Sequence, residues 1–390
     1  MKHHLTMIAK PVNFNTCKER RGGLCPFLFM FNKEKTIDQY RSTPLFLGAE
    51  AGLFDTIHKQ YPKIWSLYKE MKSLDWDENE FDYTQCNVDF KSCHPDVSDI
   101  MIKTLAWQWE ADSVASRSII ACFAPFVSSS ELFAAWQRIS DNECLHSLAY
   151  SEIVRMSFDN PNKVMEDILS VKESLSRLNK VSSALGSLSK KGAQYTLGQL
   201  QPDQELYNAV YVGVATMLML ERIQFMSSFA ITFTICDSGF FQPIGQAVKK
   251  ICQDELQVHV ELDKEVLRIE NQTERGKIAK GQTKQTIKEI FEEIVESELK
   301  WTEYLFNNRE LVGTNEKMIK QWVLFNAKDV VRFLEIDTSY KFPSTNPMPG
   351  LEKWIDMNKQ QAAPQEQDLA AYKVKAVVND DSGTKFDVDF

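Results

Sequence analysis

The stretch Asn142–Tyr150, "NECLHSLAY", sets a glutamate, a histidine and a tyrosine at spacings of three and four residues. In a helix, Glu143, His146 and Tyr150 stack on one face, turn above turn. Such a face is ordinarily core. A carboxylate, an imidazole and a phenol aimed inward together need a shared reason, because a buried charge is costly unless it is paired or bound to a metal.

Three other segments repeat the anomaly. In "LAWQWEADSVASRSIIACF" (Leu105–Phe123) the face Leu105, Trp109, Asp112, Ser116, Ile119 includes an acid. In "ATMLMLERIQFMSSFAITF" (Ala215–Phe233) Glu221 lies among Leu218, Phe225 and Phe229 at helical spacing. "ICQDELQVHVEL" (Ile251–Leu262) supplies Glu255 and His259. One acid on a helix is usually a solvated residue; the joint pattern is different. Acid-only helices alternate with acid-plus-histidine helices, with 31 residues from Asp112 to Glu143, 78 from Glu143 to Glu221 and 34 from Glu221 to Glu255. The first and last separations fit helix hairpins and the middle one a long crossover. The arrangement expected is an all-α, ferritin-like bundle with a di-metal carboxylate site.

The donor set explains the company these residues keep. Four carboxylates and two imidazoles suit iron or manganese, and metal cations neutralise acids that a dry core would not tolerate. Two such ions close together can reduce dioxygen and generate a strong oxidant. Tyr150, one turn beyond His146, then has a use beyond packing: oxidation to a neutral radical, with Phe225, Phe229 and Ile251 shielding it from water.

The rest of the chain fits a soluble globular protein. Of 390 residues 43% are apolar and 25% charged, enough for a sizeable core. A net charge of −9 argues against a nucleic-acid binder, despite the short basic run Lys18–Arg21. The 8 cysteines form no CxxC repeat, and Cys86, Cys93 and His94 are too widely spaced for a zinc site, so reduced thiols in the cytoplasm are expected. The apolar run Ala209–Ile235 carries Glu221, Arg222 and Gln224 at its middle, which reads as a buried helix and not a membrane span.

Helical periodicity recurs over 57–74, 97–123, 129–158, 164–188, 206–236, 245–270, 286–307 and 316–334, with start signals in "SSSE" (Ser128–Glu131) and "QPDQE" (Gln201–Glu205). Residues 1–40 lack a lasting period and read as an extension, 41–345 as the bundle, and 346–390 as a polar tail. The alternation of Phe386, Val388 and Phe390 suits a docking peptide.

These residues resemble the small, radical-generating subunit of class I ribonucleotide reductase, from about Pro44 to Phe390. "TPLFLG" (Thr43–Gly48) and "LDWDENEFD" (Leu74–Asp82) are similar to that family's N-terminal motifs. "STNPMPG" (Ser344–Gly350) and "APQEQDLAAY" (Ala363–Tyr372) are similar to its closing ones. The resemblance implies that Asp112, Glu143 and His146 hold one metal and Glu221, Glu255 and His259 the other. It implies two iron ions, with manganese admitted by the same donors, and a tyrosyl radical on Tyr150. Trp76 and Asp254 would lie on the exit route of the oxidising equivalent, and Tyr372 with Glu366 nearby would pass it to the large subunit. It implies a homodimer whose tail docks on that subunit, where ribonucleoside diphosphates become deoxyribonucleotides. Three positions depart from the family: Glu255 and His259 enclose three residues instead of two, Leu148 stands where an arginine is common, and Gln253 replaces another. Either a π-bulge absorbs the extra residue, or the helix stays regular and His259 meets the metal at an altered angle. The rival readings are a di-iron oxidase or monooxygenase on the same bundle, and a non-catalytic iron store or scaffold.

Overall fold

The computed structural model describes residues 36–49 and 53–355. Helix α1 is Ile37–Ser42, α2 Pro62–Ser73, α3 Thr84–Ser92, α4 Pro95–Phe123 and α5 Ser130–Ser157. A crossover of α6 Pro161–Leu169, α7 Lys172–Arg177 and α8 Asn179–Thr196 follows. The second half holds α9 Gln204–Met219, α10 Phe225–Asp237, α11 Gln242–Gln253, α12 Val260–Glu270, α13 Glu274–Phe306, α14 Glu316–Leu334 and α15 Glu352–Ile355. Two π-helical segments, Leu220–Gln224 and Asp254–His259, join α9 to α10 and α11 to α12.

Local chemistry sets the helix starts. Ser129 caps α5 by accepting from Leu132 N at 3.3 Å, and Asp203 caps α9 by accepting from Leu206 N at 2.9 Å. Glu131, read from the sequence as part of a start signal, instead accepts from Gln60 N at 3.0 Å and Ser129 Oγ at 2.8 Å. It thereby ties the entry of α2 to the entry of α5.

The expected hairpins are present. α4 packs along α5, and the α9–α10 rod runs with the α11–α12 rod, the crossover lying between the two pairs in sequence. The segment 43–48 lies against the α4–α5 connection, Leu47 N donating to Phe126 O at 2.8 Å and Ser128 N to Leu45 O at 2.8 Å. The core is continuous through Trp107, Phe123, Trp136, Phe225, Phe229 and Phe233. Truncating a fully buried Trp136 would cost about 3–5 kcal/mol. The apolar run expected to be internal is so, with 83% of its most apolar window buried.

Several boundaries differ from the sequence expectation. The single helix over 164–188 is three: a turn at Ser170–Val171 ends α6, and α7 stops at Arg177, whose guanidinium lies in the core at 2% exposure. Helix α13 starts at Glu274, well before 286, because Thr273 accepts from Gly276 N at 2.9 Å and the polar turns that follow are rich in good helix formers. A two-residue hairpin, Glu310–Leu311 with Thr314–Asn315, is too short to show alternation. Beyond 345 the chain still packs: Leu351 and Trp354 are buried, Trp354 stacked on Phe233 at 5.0 Å.

Candidate metal centre

Four helical rods bring the six candidate ligands read from the sequence to one place. Asp112 comes from α4, Glu143 and His146 from α5, Glu221 from the first π segment, and Glu255 and His259 from the second. All six are at most 1% exposed. They form two clusters whose donor atoms lie within 4.8 Å of one another: Asp112, Glu143 and His146, and Glu143, Glu221, Glu255 and His259. Glu143 belongs to both clusters, so its carboxylate would be within reach of an ion in either.

Distances across the centre are short. His146 Nδ1 lies 3.2 Å from Glu255 Oε1 and 3.8 Å from Glu143 Oε2. His259 Nδ1 lies 2.9 Å from Glu255 Oε2 and 3.4 Å from Glu143 Oε1. Of the two ways to absorb the extra residue, the structure has the π turn: the wider turn of Asp254–His259 keeps Glu255 and His259 on one face despite the added residue between them. The π segment at Leu220–Gln224 was not read from the sequence.

Electrostatics says what is missing. Both oxygens of Asp112, Glu143 and Glu221, with Glu255 Oε1, His146 Nδ1 and His259 Nε2, have no hydrogen-bond partner although buried. Burial, then Glu143, pushes the Asp112 carboxyl well above its usual range; burial, then Glu255, does the same to Glu221. Burial opposes a charged His146, but its contacts with Asp254 and then Glu143 raise its pKa well above normal. Protons can offset the charge of the acids but leave these buried donor atoms without partners. Divalent cations with oxygen and nitrogen preferences fit this donor set and satisfy the orphaned atoms.

Behind the ligands, His146 Nε2 meets Asp254 Oδ2 at 3.1 Å, and the Trp76 indole N–H donates to the same oxygen at 2.9 Å. The Trp76 ring also stacks beside His146, centroids 6.1 Å apart. A carboxylate on the far nitrogen fixes a ligating imidazole's tautomer and orientation. Tyr150 is 1% exposed and its hydroxyl has no hydrogen-bond partner. Burial, then the Asp112 carboxylate, raises the phenol's pKa well above normal. Phe225, Phe229 and Ile251 are buried in the same apolar core. Glu366 and Tyr372 lie outside the described residues, as does the terminal Phe386–Phe390 segment.

Asp263, Arg177 and Glu298 are buried ionisable groups that the sequence reading did not single out. Asp263, one turn past His259, is 3% exposed, and burial pushes its pKa up to about 8. Its place four residues after His259 on the same face was the available signal. Arg177 pairs with Glu298 in the core, and no local pattern announces either one.

Comparison with known proteins agrees with this geometry. Residues 53–347 match the family model "Ribonucleotide reductase, small chain". Ribonucleoside-diphosphate reductase subunit beta of Buchnera aphidicola (Schizaphis graminum strain) is 26% identical, over 91% of this chain and 97% of that protein. The corresponding subunit of Haemophilus influenzae is 26% identical, over 88% and 94%. Among solved structures, the ribonucleotide reductase R2 subunit from Clostridium botulinum superposes with a TM-score of 0.72 at 17% identity, covering 84% of this chain and 97% of that one. The dimanganese(II)-NrdF of Streptococcus sanguinis does so with a TM-score of 0.61 at 14% identity, over 78% and 99%. With the ferritin-like bundle, the paired carboxylate–histidine clusters and a family match over most of its length, the chain belongs to the ribonucleotide reductase small-chain family.

Proposed function

We propose that the two clusters hold a pair of iron ions and that Tyr150 stores a tyrosyl radical for ribonucleotide reduction by a large subunit. The observation that carries this reading is the shared Glu143: two clusters with one carboxylate in common fit two adjacent ions. Bound there, the ions supply the activation of dioxygen that yields an oxidant strong enough for a phenol.

The chain's own residues do the rest. Asp112, Glu143 and His146 would hold one ion, and Glu221, Glu255 and His259 the other. Asp254 keeps His146 Nδ1 turned toward the acids by engaging its Nε2. Tyr150 is dry and its pKa is raised by burial and then the Asp112 carboxylate, so the phenol stays protonated until it is oxidised. Its electron would go to the oxidant the bound ions supply and its proton to a base of the centre, with the Asp112 carboxylate as the candidate. A neutral radical formed there sits away from solvent reductants. Trp76 connects to the centre through Asp254, whose carboxylate can take the indole proton as an electron leaves the ring. That supports an exit route through Trp76, with Tyr372 and Glu366 as its continuation in the tail. The family acts with a large subunit; docking through the tail, and a homodimer, are part of the proposal.

Electron paramagnetic resonance tests it. The full chain, loaded with ferrous iron in air, is expected to give a tyrosyl signal that Tyr150→Phe removes while binding the same amount of metal. Two ions bound with no radical from either iron or manganese would favour a di-metal oxidase on this bundle. Manganese suits the same donors, and metal analysis of protein loaded from equal concentrations of both ions decides between them.

A further inference from the structure

The π segment carrying Glu221 is gripped from outside the centre. Arg177, at the end of α7, donates from Nη2 to Gln224 O at 3.0 Å and to Ser227 Oγ at 3.2 Å. Gln224 returns the contact, its Nε2 donating to Arg177 O at 2.9 Å. Side chain holds backbone in both directions, at the last residue of the π segment. Glu298 on α13 anchors the guanidinium with two bonds, Nε to Oε1 at 2.9 Å and Nη2 to Oε2 at 2.6 Å, and accepts from Ser227 Oγ at 2.8 Å. The guanidinium also lies 3.7 Å from the Trp107 ring centroid and 4.7 Å from that of Trp301, while Trp107 packs on Phe225 at 5.0 Å. Arg177 is 2% and Glu298 0% exposed.

A buried ion pair is weak evidence of stability, since apolar residues of similar volume often serve as well. Its value here is directional. A planar fork can satisfy a carboxylate, a main-chain carbonyl and a hydroxyl together in one geometry, which a lysine cannot. A π turn has wider, less uniform bonding than an α turn, so the direction of its side chains depends more on outside contacts.

We propose that Arg177 and Glu298 are positioning residues that fix the π turn at Leu220–Gln224 and so aim the Glu221 carboxylate at its metal. The proposal rests on the di-metal reading of the centre.

The test is a Mn(II) titration of the full chain, free ion followed by its paramagnetic resonance. The wild type is expected to bind two ions. The double variant Arg177→Met/Glu298→Leu removes both charges, so neither is left buried alone, and circular dichroism checks that it folds. It is expected to keep the Asp112–Glu143–His146 ion and to bind the second one roughly 10- to 100-fold more weakly. The same one-site pattern is expected of Glu221→Ala, and Arg177→Lys should not restore the second site. A folded double variant that binds both ions as the wild type does, or loses both equally, overturns the proposal. A wild type that binds no pair of ions overturns the di-metal reading beneath it.

Discussion

Trp76 and Asp254 stand 178 residues apart in the chain, yet the Trp76 indole N–H donates to Asp254 Oδ2 at 2.9 Å. The same oxygen faces His146 Nε2 at 3.1 Å, so one carboxylate links a surface-ward indole to a ligand of the centre. Trp76→Phe removes the donor while keeping an apolar ring. Metal content and the Tyr150 signal are expected to survive, and ribonucleotide reduction with the large subunit to fall at least about 100-fold, a barrier increase of about 2.7 kcal/mol. Equal losses of radical and turnover would mean that Trp76 supports the centre and not the exit route.

Asp112 and Glu143 should differ in what their loss removes. Asp112 belongs to one cluster and Glu143 to both. Asp112→Ala is therefore expected to leave one Mn(II) tightly bound, and Glu143→Ala to weaken both ions by more than about tenfold. Equilibrium dialysis with metal analysis separates the outcomes. Two tight ions in Glu143→Ala would exclude a bridging role.

Metal binding should depend on pH through His259. Burial works against its charged form, but the Glu255 and then Glu143 carboxylates raise its pKa from 6.5 to about 10. The metal-free protein therefore draws stability from this proton fully below pH 6.5 and loses it as pH rises toward 10. An ion must displace the same proton, so apparent affinity is expected to rise across that window, by about tenfold per pH unit for one proton. Calorimetry in buffers of different ionisation heats counts the protons released; none released at pH 7.5 would contradict the picture.

Gly213 marks the closest packing of α9. A Cβ there would come within 2.5 Å of Leu188 Cδ2 and 3.1 Å of Phe123 Cε1. Gly213→Ala gains helix propensity but overpacks the α4–α8–α9 contact. It is expected to destabilise the metal-free protein by about 1–3 kcal/mol in urea unfolding.

Removing residues 361–390 should separate the centre from its partner. The truncated chain is expected to load metal and form the Tyr150 radical as the full chain does, and to lose measurable binding to the large subunit in sedimentation. Retained binding would place docking on the bundle itself.

Legible in the residues alone were the helical class, the order of the four acid-bearing rods and the six candidate ligands, because acids and imidazoles placed at helical spacing on apolar faces leave a periodic trace. The added residue between Glu255 and His259 was visible too, but whether a π turn or a turned His259 absorbs it depended on the packed helix. That Glu143 falls in both clusters, that a second π turn carries Glu221 and that Arg177 reaches Glu298 came from how the rods pack. The difference is one of range. Helix faces are written in residues three and four apart, whereas which carboxylate lies between two ions, and which guanidinium braces a distant turn, depends on how rods separated by tens to more than a hundred residues pack side by side.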